Sequence, residues 1–338
     1  MQEQAKVGRP VETERAQVEE NRVLRPGPDA VDMLSELYNE PAWMREARHD
    51  ALNLYEEMPL PAPTEEAWRR TSLKDYPLDA VRLVFSPQEL DGIYDLPPCW
   101  NYALAPVEQV SGVLVHCNSA LAYGTMRRDD EMNGVVLKDL HGALRTHEAI
   151  IREHWMQGAT VRPDFNKFTA LNAALWHGGT FVHVPENVRV ARPLHSLIAH
   201  DADSGTSLHH TLIVAERGSR VTLIQDRVSQ ERQEEFNAEV VEIYAEEGAW
   251  VRYVSLQHWG ARRYSVSVQE AQLQKDANLL WVSGSMGGAR SKEFIRSDLR
   301  EQGARSMMYG FSFMRGRQHL DQSTYQHHQA PHTYSDLL

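Results

Sequence analysis

The sequence predicts a mainly β protein built from stacked strand–turn–strand units, and three observations carry that expectation. A turn motif recurs, Glu-Arg-Gly-Ser at Gly218, Glu-Glu-Gly-Ala at Gly248, Lys-Asp-Ala at Asp276 and Glu-Gln-Gly-Ala at Gly303, with spacings of 30, 28 and 27 residues. Each turn is followed by side chains at alternate positions, Val221/Leu223, Val251/Tyr253, Leu279/Trp281 and Ser306/Met308. That is the period of a strand with one buried face. Further apolar alternations precede the turns, as at Leu212/Val214 and Val241/Ile243. Glycine, or Asp in its place, suits a tight turn that needs positive φ. Repetition at this period indicates a stack, an architecture suited to partner surfaces. The repeat alone leaves open a parallel coil or an antiparallel meander.

Taken in order, residues 1–28 are polar, charged and punctuated by Pro and Gly, the composition of a disordered tail. Residues 29–80 read as a helical N-terminal region. Pro41 suits a first helical position, and Met44, Ala47, Ala51, Leu54 and Met58 keep an amphipathic spacing until Pro59, Pro61 and Pro63 end it. The segment from Trp68 to Pro77 reads as an irregular connector. From Val81 to Leu338 the pattern is a β core: VRLVF, then GVLVHC with Leu114 and His116 on one face, then GVVL from Gly134. A helical insertion interrupts it at about 139–175, read as one helix over 139–157 and a short one over Phe168–Leu175. From Gly179 onward the chain is strand and turn, and the pattern runs to the last residue. A solenoid needs an atypical cap, so the expectation is either a longer protein or an end covered by another chain.

Composition narrows the classes. The chain has 338 residues and a net charge of −12. Nucleic-acid binders and binders of anionic membranes need a positive field, so neither is expected. There is no long apolar run for a membrane helix and no apolar core near the N-terminus for a signal peptide. Two cysteines, Cys99 and Cys117, make no disulfide framework, which points to the cytosol.

Motif searches for phosphate loops, HExxH and CxxC return nothing. Ser283-Gly-Ser285-Met-Gly287 lacks the first Gly of a nucleophile elbow. One constellation remains, the tail GRQHLDQSTYQHHQAPH with Arg317, His319, Asp321, His327, His328 and His332. Imidazole and carboxylate together suit iron or zinc. The plainer expectation is polar groups hydrogen-bonding across a subunit interface. His209 and His210 are expected to be structural and Cys117 a buried small residue. Trp250, Tyr253, Trp259 and Trp281 are expected to pack the stack.

The stretch NKFTALNAALWHGGTFVHVPENVRVARPLH, Asn166 to His195, resembles the SufB/SufD family of iron–sulfur cluster assembly proteins. The match runs through Ala170-Leu171-Asn172, Ala174, Gly179, Phe181, Val184-Pro185, Val188 and Pro193-Leu194. It is supported by residues 209–225, by 314–333 and by the front end EPAWMREARHDALNLYEEMPLP with WRRTSL. The order of the front end is similar to SufD, and Gln225–Ser229 holds no Cys where SufB members usually carry one. The resemblance implies a right-handed parallel β-helix and a non-catalytic scaffold role. It also implies a heterodimer with a SufB-like subunit and a SufC-like ATPase, and pairing through the 314–333 segment. Further coils and a helical region follow that segment in the family; ATPase docking and the cluster-assembly histidine belong there, so no residue here is assigned those roles. Iron–sulfur sites usually need about four strong ligands, mostly thiolates. The chain alone is therefore expected to hold no cluster, which would be shared transiently at the subunit interface. The rival classes are a β-helix enzyme, polysaccharide-active or a His-dependent metalloenzyme, and a homo-oligomeric structural stack.

Overall fold

The computed structural model describes residues 5–6, 24–83, 103–104, 106–200, 205–230 and 234–338. Most of the tail expected over 1–28 lies outside these residues, as do Cys99 and the end of the VRLVF segment. Leu24 and Leu83 bridge each other, so the chain is already engaged before the first helix.

The strands are β1 (Ala5–Lys6), β2 (Gly112–Cys117), β3 (Ala120–Met126), β4 (Val136–Asp139), β5 (Gly178–Val184), β6 (Leu194–His200), β7 (Thr206–Ser207), β8 (His209–Ala215) and β9 (Arg220–Ser229). They continue as β10 (Glu235–Ala245), β11 (Trp250–Trp259), β12 (Arg263–Leu273), β13 (Asn278–Gly287), β14 (Arg290–Leu299), β15 (Arg305–Phe313), β16 (His319–His328) and β17 (Tyr334–Leu337). Consecutive strands from β8 on alternate between two sheets, and the short β7 pairs with β10 beside β8. One has the order β1-β3-β2-β6-β9-β11-β13-β15-β17 and is called sheet A here. The other, sheet B, has the order β16-β14-β12-β10-β8-β5-β4. Pairing is parallel from β5 and β6 onward, so the repeat is a β-solenoid of about five turns and not a meander.

The repeated turns are corners that carry the chain from sheet B to sheet A. Gly218, Gly248, Asp276 and Gly303 have φ of 66°, 67°, 55° and 80°. Their backbones ladder from coil to coil: Gly218 N–H donates to Glu247 O at 2.9 Å, and Gly248 N–H to Lys275 O at 2.8 Å. Asn187 (φ 61°) and His332 (φ 59°) occupy the matching corners before and after this set. The side chains behind the corners form the two expected columns. Val221, Val251, Leu279 and Ser306 pair in register, as do Leu223, Tyr253, Trp281 and Met308. All eight are buried.

The two alternations noted before the turns lie on opposite faces of sheet B. Val241 and Ile243 face the interior, and their register partners in β8 are Thr211 and Ile213. Leu212 and Val214 point outward into a second core with Phe181, Val240 and Val266. Both faces of sheet B are buried, so its strands read as apolar on both faces and the alternation loses its phase.

Helices supply that second core: α1 (Pro28–Tyr38), α2 (Ala42–Glu57), α3 (Arg128–Met132), α4 (Leu140–Leu144), α5 (Glu148–His154) and α6 (Lys167–Leu175). The helix expected over 139–157 is two, α4 and α5. The carboxylate of Asp139 caps α4 by accepting from Gly142 N–H at 3.1 Å. Thr146 then turns its hydroxyl to the adjacent His147 ring at 2.7 Å, and residues of this kind compete with helical bonding. Asn166 caps α6 in a capping box with Thr169. The buried face of α2 is Met44, Arg48, Ala51 and Leu52, rotated from the expected stripe. Arg48 accounts for the rotation. Its guanidinium pairs with Glu40 at 2.7 and 2.8 Å and donates to Ala174 O at 3.1 Å and Trp176 O at 3.0 Å, which ties α2 to the carbonyl end of α6.

The connector over Trp68–Pro77 is a strap along sheet B. Trp68 packs on Phe168 and Phe294, Thr71 donates to Asp321, and Arg290 reaches Asp75 at 2.5 Å.

Candidate functional site

The six residues picked from the tail segment separate onto different surfaces. His319, Asp321 and His327 alternate along β16. Asp321 is tied within its own chain: Thr71 donates to it at 2.6 Å and Lys292 Nζ lies 3.0 Å away. Burial works to raise its carboxyl, but the Thr71 and Lys292 hydrogen bonds hold it below the usual range. His327 Nδ1 meets Arg296 at 3.2 Å and Gln329 at 3.0 Å. His328 turns toward β17, with Thr333 at 2.7 Å and Ser335 at 2.9 Å. His332 sits at a corner and Arg317 is exposed in the turn before β16. Among the described residues, no three His, Cys, Asp or Glu side chains gather as metal ligands.

The denser chemistry lies inside the solenoid. On β9 the inward alternation of Val221 and Leu223 continues two more steps, to Gln225 and Arg227. Arg227, 3% exposed, pairs with Glu239 and donates to Ser255 at 2.8 Å, Gln225 at 3.0 Å and Tyr253 at 3.1 Å. Tyr253 donates to Gln225 at 2.6 Å, and Gln225 donates to Thr211 at 2.9 Å. On one side the polar lane reaches Ser196, Thr180 and His209. On the other, Ser285 and Gln322 both donate to Glu293, at 3.0 and 2.7 Å. Burial raises the Glu293 carboxyl, while burial and the neighbouring His116, Arg227, His200 and His210 push His209 well below its ordinary value. His200 is likewise held low, by burial and by Arg263, His177 and His116. These are the groups a solvated active centre would use, but here each is walled in and most are mutually satisfied. The signal for them was available: polar residues standing in phase with the core on a buried face.

The remaining candidates are structural. Cys117 is buried among Val113, Val115 and Leu197. His210 sits between Asn172 at 2.9 Å and Glu242 at 2.8 Å, stacked on Trp155. Ser283 and Ser285 lie inside β13, not on a strand-to-helix turn. Tyr253, Trp259 and Trp281 pack inside; Trp250 faces outward between Arg220 and Arg252.

Two family models match. One, described as the SufBD protein N-terminal region, spans residues 32–195; the other, described as SUF system FeS cluster assembly, SufBD core domain, spans residues 197–338. Among individual proteins, the chain is similar to the iron–sulfur cluster assembly protein SufB of Bacillus subtilis (strain 168), 27% identical over 92% of this chain and 67% of the relative. It is also similar to an iron–sulfur cluster assembly SufBD family protein of Staphylococcus epidermidis (strain ATCC 12228), 28% identical over 91% of this chain and 67% of the relative. The chain thus spans about two thirds of the length of these relatives. No described helix is long and apolar enough to cross a membrane.

Proposed function

Since the chain belongs to the SufBD family of iron–sulfur cluster assembly proteins, we propose that it works in the cytoplasm as a SufD-like, non-catalytic scaffold subunit. Its partners in this reading are a SufB-like subunit and a SufC-like ATPase, and the cluster is cargo shared at the subunit interface. The observation that carries the reading is the poverty of thiolate. The sequence holds two cysteines, and Cys117 is buried in an apolar cluster. At Gln225–Ser229, where the family resemblance places a SufB cysteine, Arg227 is locked to Glu239 instead. Two cysteines, one of them buried, fall short of the about four strong ligands such a cluster usually needs, so in this reading most of its thiolates come from elsewhere.

The pairing surface is assigned to the 314–333 segment, with Arg317, His319, Asp321, His327, His328 and His332. Exposed Phe313 ends β15 and exposed Tyr325 lies on β16, apolar rings beside the polar groups of this segment. The test is co-expression of the full-length protein with SufB and SufC. A stable three-component complex is expected. Arg317→Ala with His328→Ala and His332→Ala should weaken it, while Asp321 is left intact because it anchors the strap. After anaerobic incubation with iron and sulfide, the lone protein should hold no chromophore through desalting. A stoichiometric cluster on the lone protein, lost in Cys117→Ser, overturns the scaffold reading.

A further inference from the structure

We propose that the outer face of sheet A, across β9, β11, β13 and β15, is a docking surface for a protein segment that presents carboxylates beside an apolar strip. The argument is independent of the family assignment and starts from what covers each face. Helices bury the outer face of sheet B. Among the described residues, cover on sheet A is confined to its first strands, where Val113, Val115, Leu197 and Val228 close a small core. From β9 on, the outward side chains Ile224, Val254, Val282 and Tyr309 stand in one register row, are half-buried, and belong to none of the three cores. Beside them Phe311 lies over Gly284 and is 45% exposed. Isolated exposed apolar residues are ordinary, but a contiguous row marks an interaction site.

The flank of this row is basic in a chain of net charge −12. Arg189, Arg220, Trp250, Asn278 and Arg305 follow one another at equivalent positions, three of the five cationic, and Arg252 stands in the next row. Trp250 is held between two guanidinium groups, Arg220 at 4.3 Å and Arg252 at 5.0 Å from the ring centre. Elsewhere exposed arginines find carboxylates, as Arg45 does with Asp32, Arg162 with Asp164 and Arg217 with Glu186. Among the described residues, Arg189, Arg220, Arg252 and Arg305 have no carboxylate partner. Arg252 Nε is buried and without a hydrogen-bond partner. Like charges on adjacent rows repel, and a partner carboxylate relieves that repulsion while satisfying the guanidinium forks. Arg, Trp, Tyr and Phe are also the residues enriched in interface centres. A nucleic acid matches the arginines and Trp250 but not the row of Ile224, Val254 and Val282, so a protein segment is the fitting occupant.

The experiment places the photo-cross-linker p-benzoylphenylalanine at Val254, or separately at Val282, in the full-length protein expressed in its own host. Mass spectrometry then identifies the segment joined. A protein segment carrying at least two carboxylates among apolar residues is expected. Arg220→Glu with Arg252→Glu should lower the adduct yield at least tenfold, and replacing those partner carboxylates by Arg should restore it. Arg220→Gln with Arg252→Gln, checked by thermal melting against the parent, guards against misfolding of the charge-reversed form and should still lower the yield severalfold. An adduct to nucleic acid, to a segment without carboxylates or to a second copy of this chain overturns the proposal. So does no adduct at either position, or a yield indifferent to both arginine pairs.

Discussion

The two sheets of the solenoid share one interior but differ on their outer faces. Along β10 every residue is buried; along β11, the next strand in the chain, buried and half-buried residues alternate strictly. The difference lies in what covers them. Sheet B carries α1, α2, α4, α5 and α6 with the strap, and it buries polar groups to hold them: Glu242 accepts from Met156 N–H at 3.0 Å, and Glu270 accepts from Ala159 N–H at 2.8 Å. Among the described residues, no helix or strap lies on sheet A beyond β6. The covered face is thus where a point change should cost stability, and the bare face is where it should cost association.

The largest effect is expected at the bolt of the covered face. Arg48→Met removes the partner of Glu40 and two acceptors' donors in a site where both side chains are at most 1% exposed. Breaking a buried pair from one side costs about 3–5 kcal/mol, read as a fall in the urea midpoint. Combining it with Glu40→Gln should recover part of the loss, because the orphaned charge goes with it. A loss below about 1 kcal/mol would mean that the helices do not depend on this pair.

Acid should act next, through the interior common to both sheets. His177 is pushed down to about 3 by burial, and burial likewise holds His200 and His209 well below 6.5. The folded state therefore binds fewer protons than the unfolded state below pH 6.5. Stability then rises with pH in that window and is lost as pH falls, by about 1.4 kcal/mol per pH unit for each histidine. Denaturant titrations at pH 7, 6 and 5 should show the slope steepening, and His200→Asn should remove one histidine's share. A flat profile between pH 6.5 and 5 would show that these rings already carry protons when folded.

The corners come third. Gly248→Val and Gly303→Val both force a branched residue to positive φ, at a cost of about 1–3 kcal/mol. The two sites differ in space. A Cβ at position 248 meets nothing nearer than Gly218 at 4.0 Å, whereas at 303 it runs into the Asp276 carboxylate. Gly303→Val should thus be the worse of the pair in thermal unfolding, and equal losses would assign the whole penalty to the backbone.

How much of this was legible depended on whether the signal was local. The corners and the two columns were, because Gly or Asp with alternation behind it is written within ten residues. Parallel pairing was not: the same alternation serves a meander, and only contacts a full coil away decide between them. Which way Leu212 and Val214 face was not legible, because a sheet covered on both faces has no silent phase. Arg48 was missed because a cation inside an amphipathic stripe looks like a polar neighbour until the α6 carbonyls are in place. The strap was unreadable for a similar reason, since Trp68 and Phe294 meet only in the fold. The tail histidines were conspicuous in sequence, yet β16 and its turn scatter them over separate surfaces. Gln225 and Arg227 carried a readable sign, polarity in phase with Leu223, and the family resemblance drew the reading to the absent cysteine instead.

The smallest effect tests the comparison itself. Val254 on the bare face and Val268 on the covered face are both outward-facing β-branched residues in the middle of a strand. Val→Thr keeps the shape and the strand preference and adds one hydroxyl. At Val268, 1% exposed within the helix-covered core, that hydroxyl has to find a partner or stay unsatisfied, at about 1–3 kcal/mol. At half-buried Val254 water can reach it, and the change should stay within about 0.5 kcal/mol, the range of ordinary surface substitutions. Chemical denaturation of the two single variants side by side measures the difference directly. If Val254→Thr cost as much as Val268→Thr, the outer face of sheet A would already be covered in the free protein, and the contrast between the two faces would fall with it.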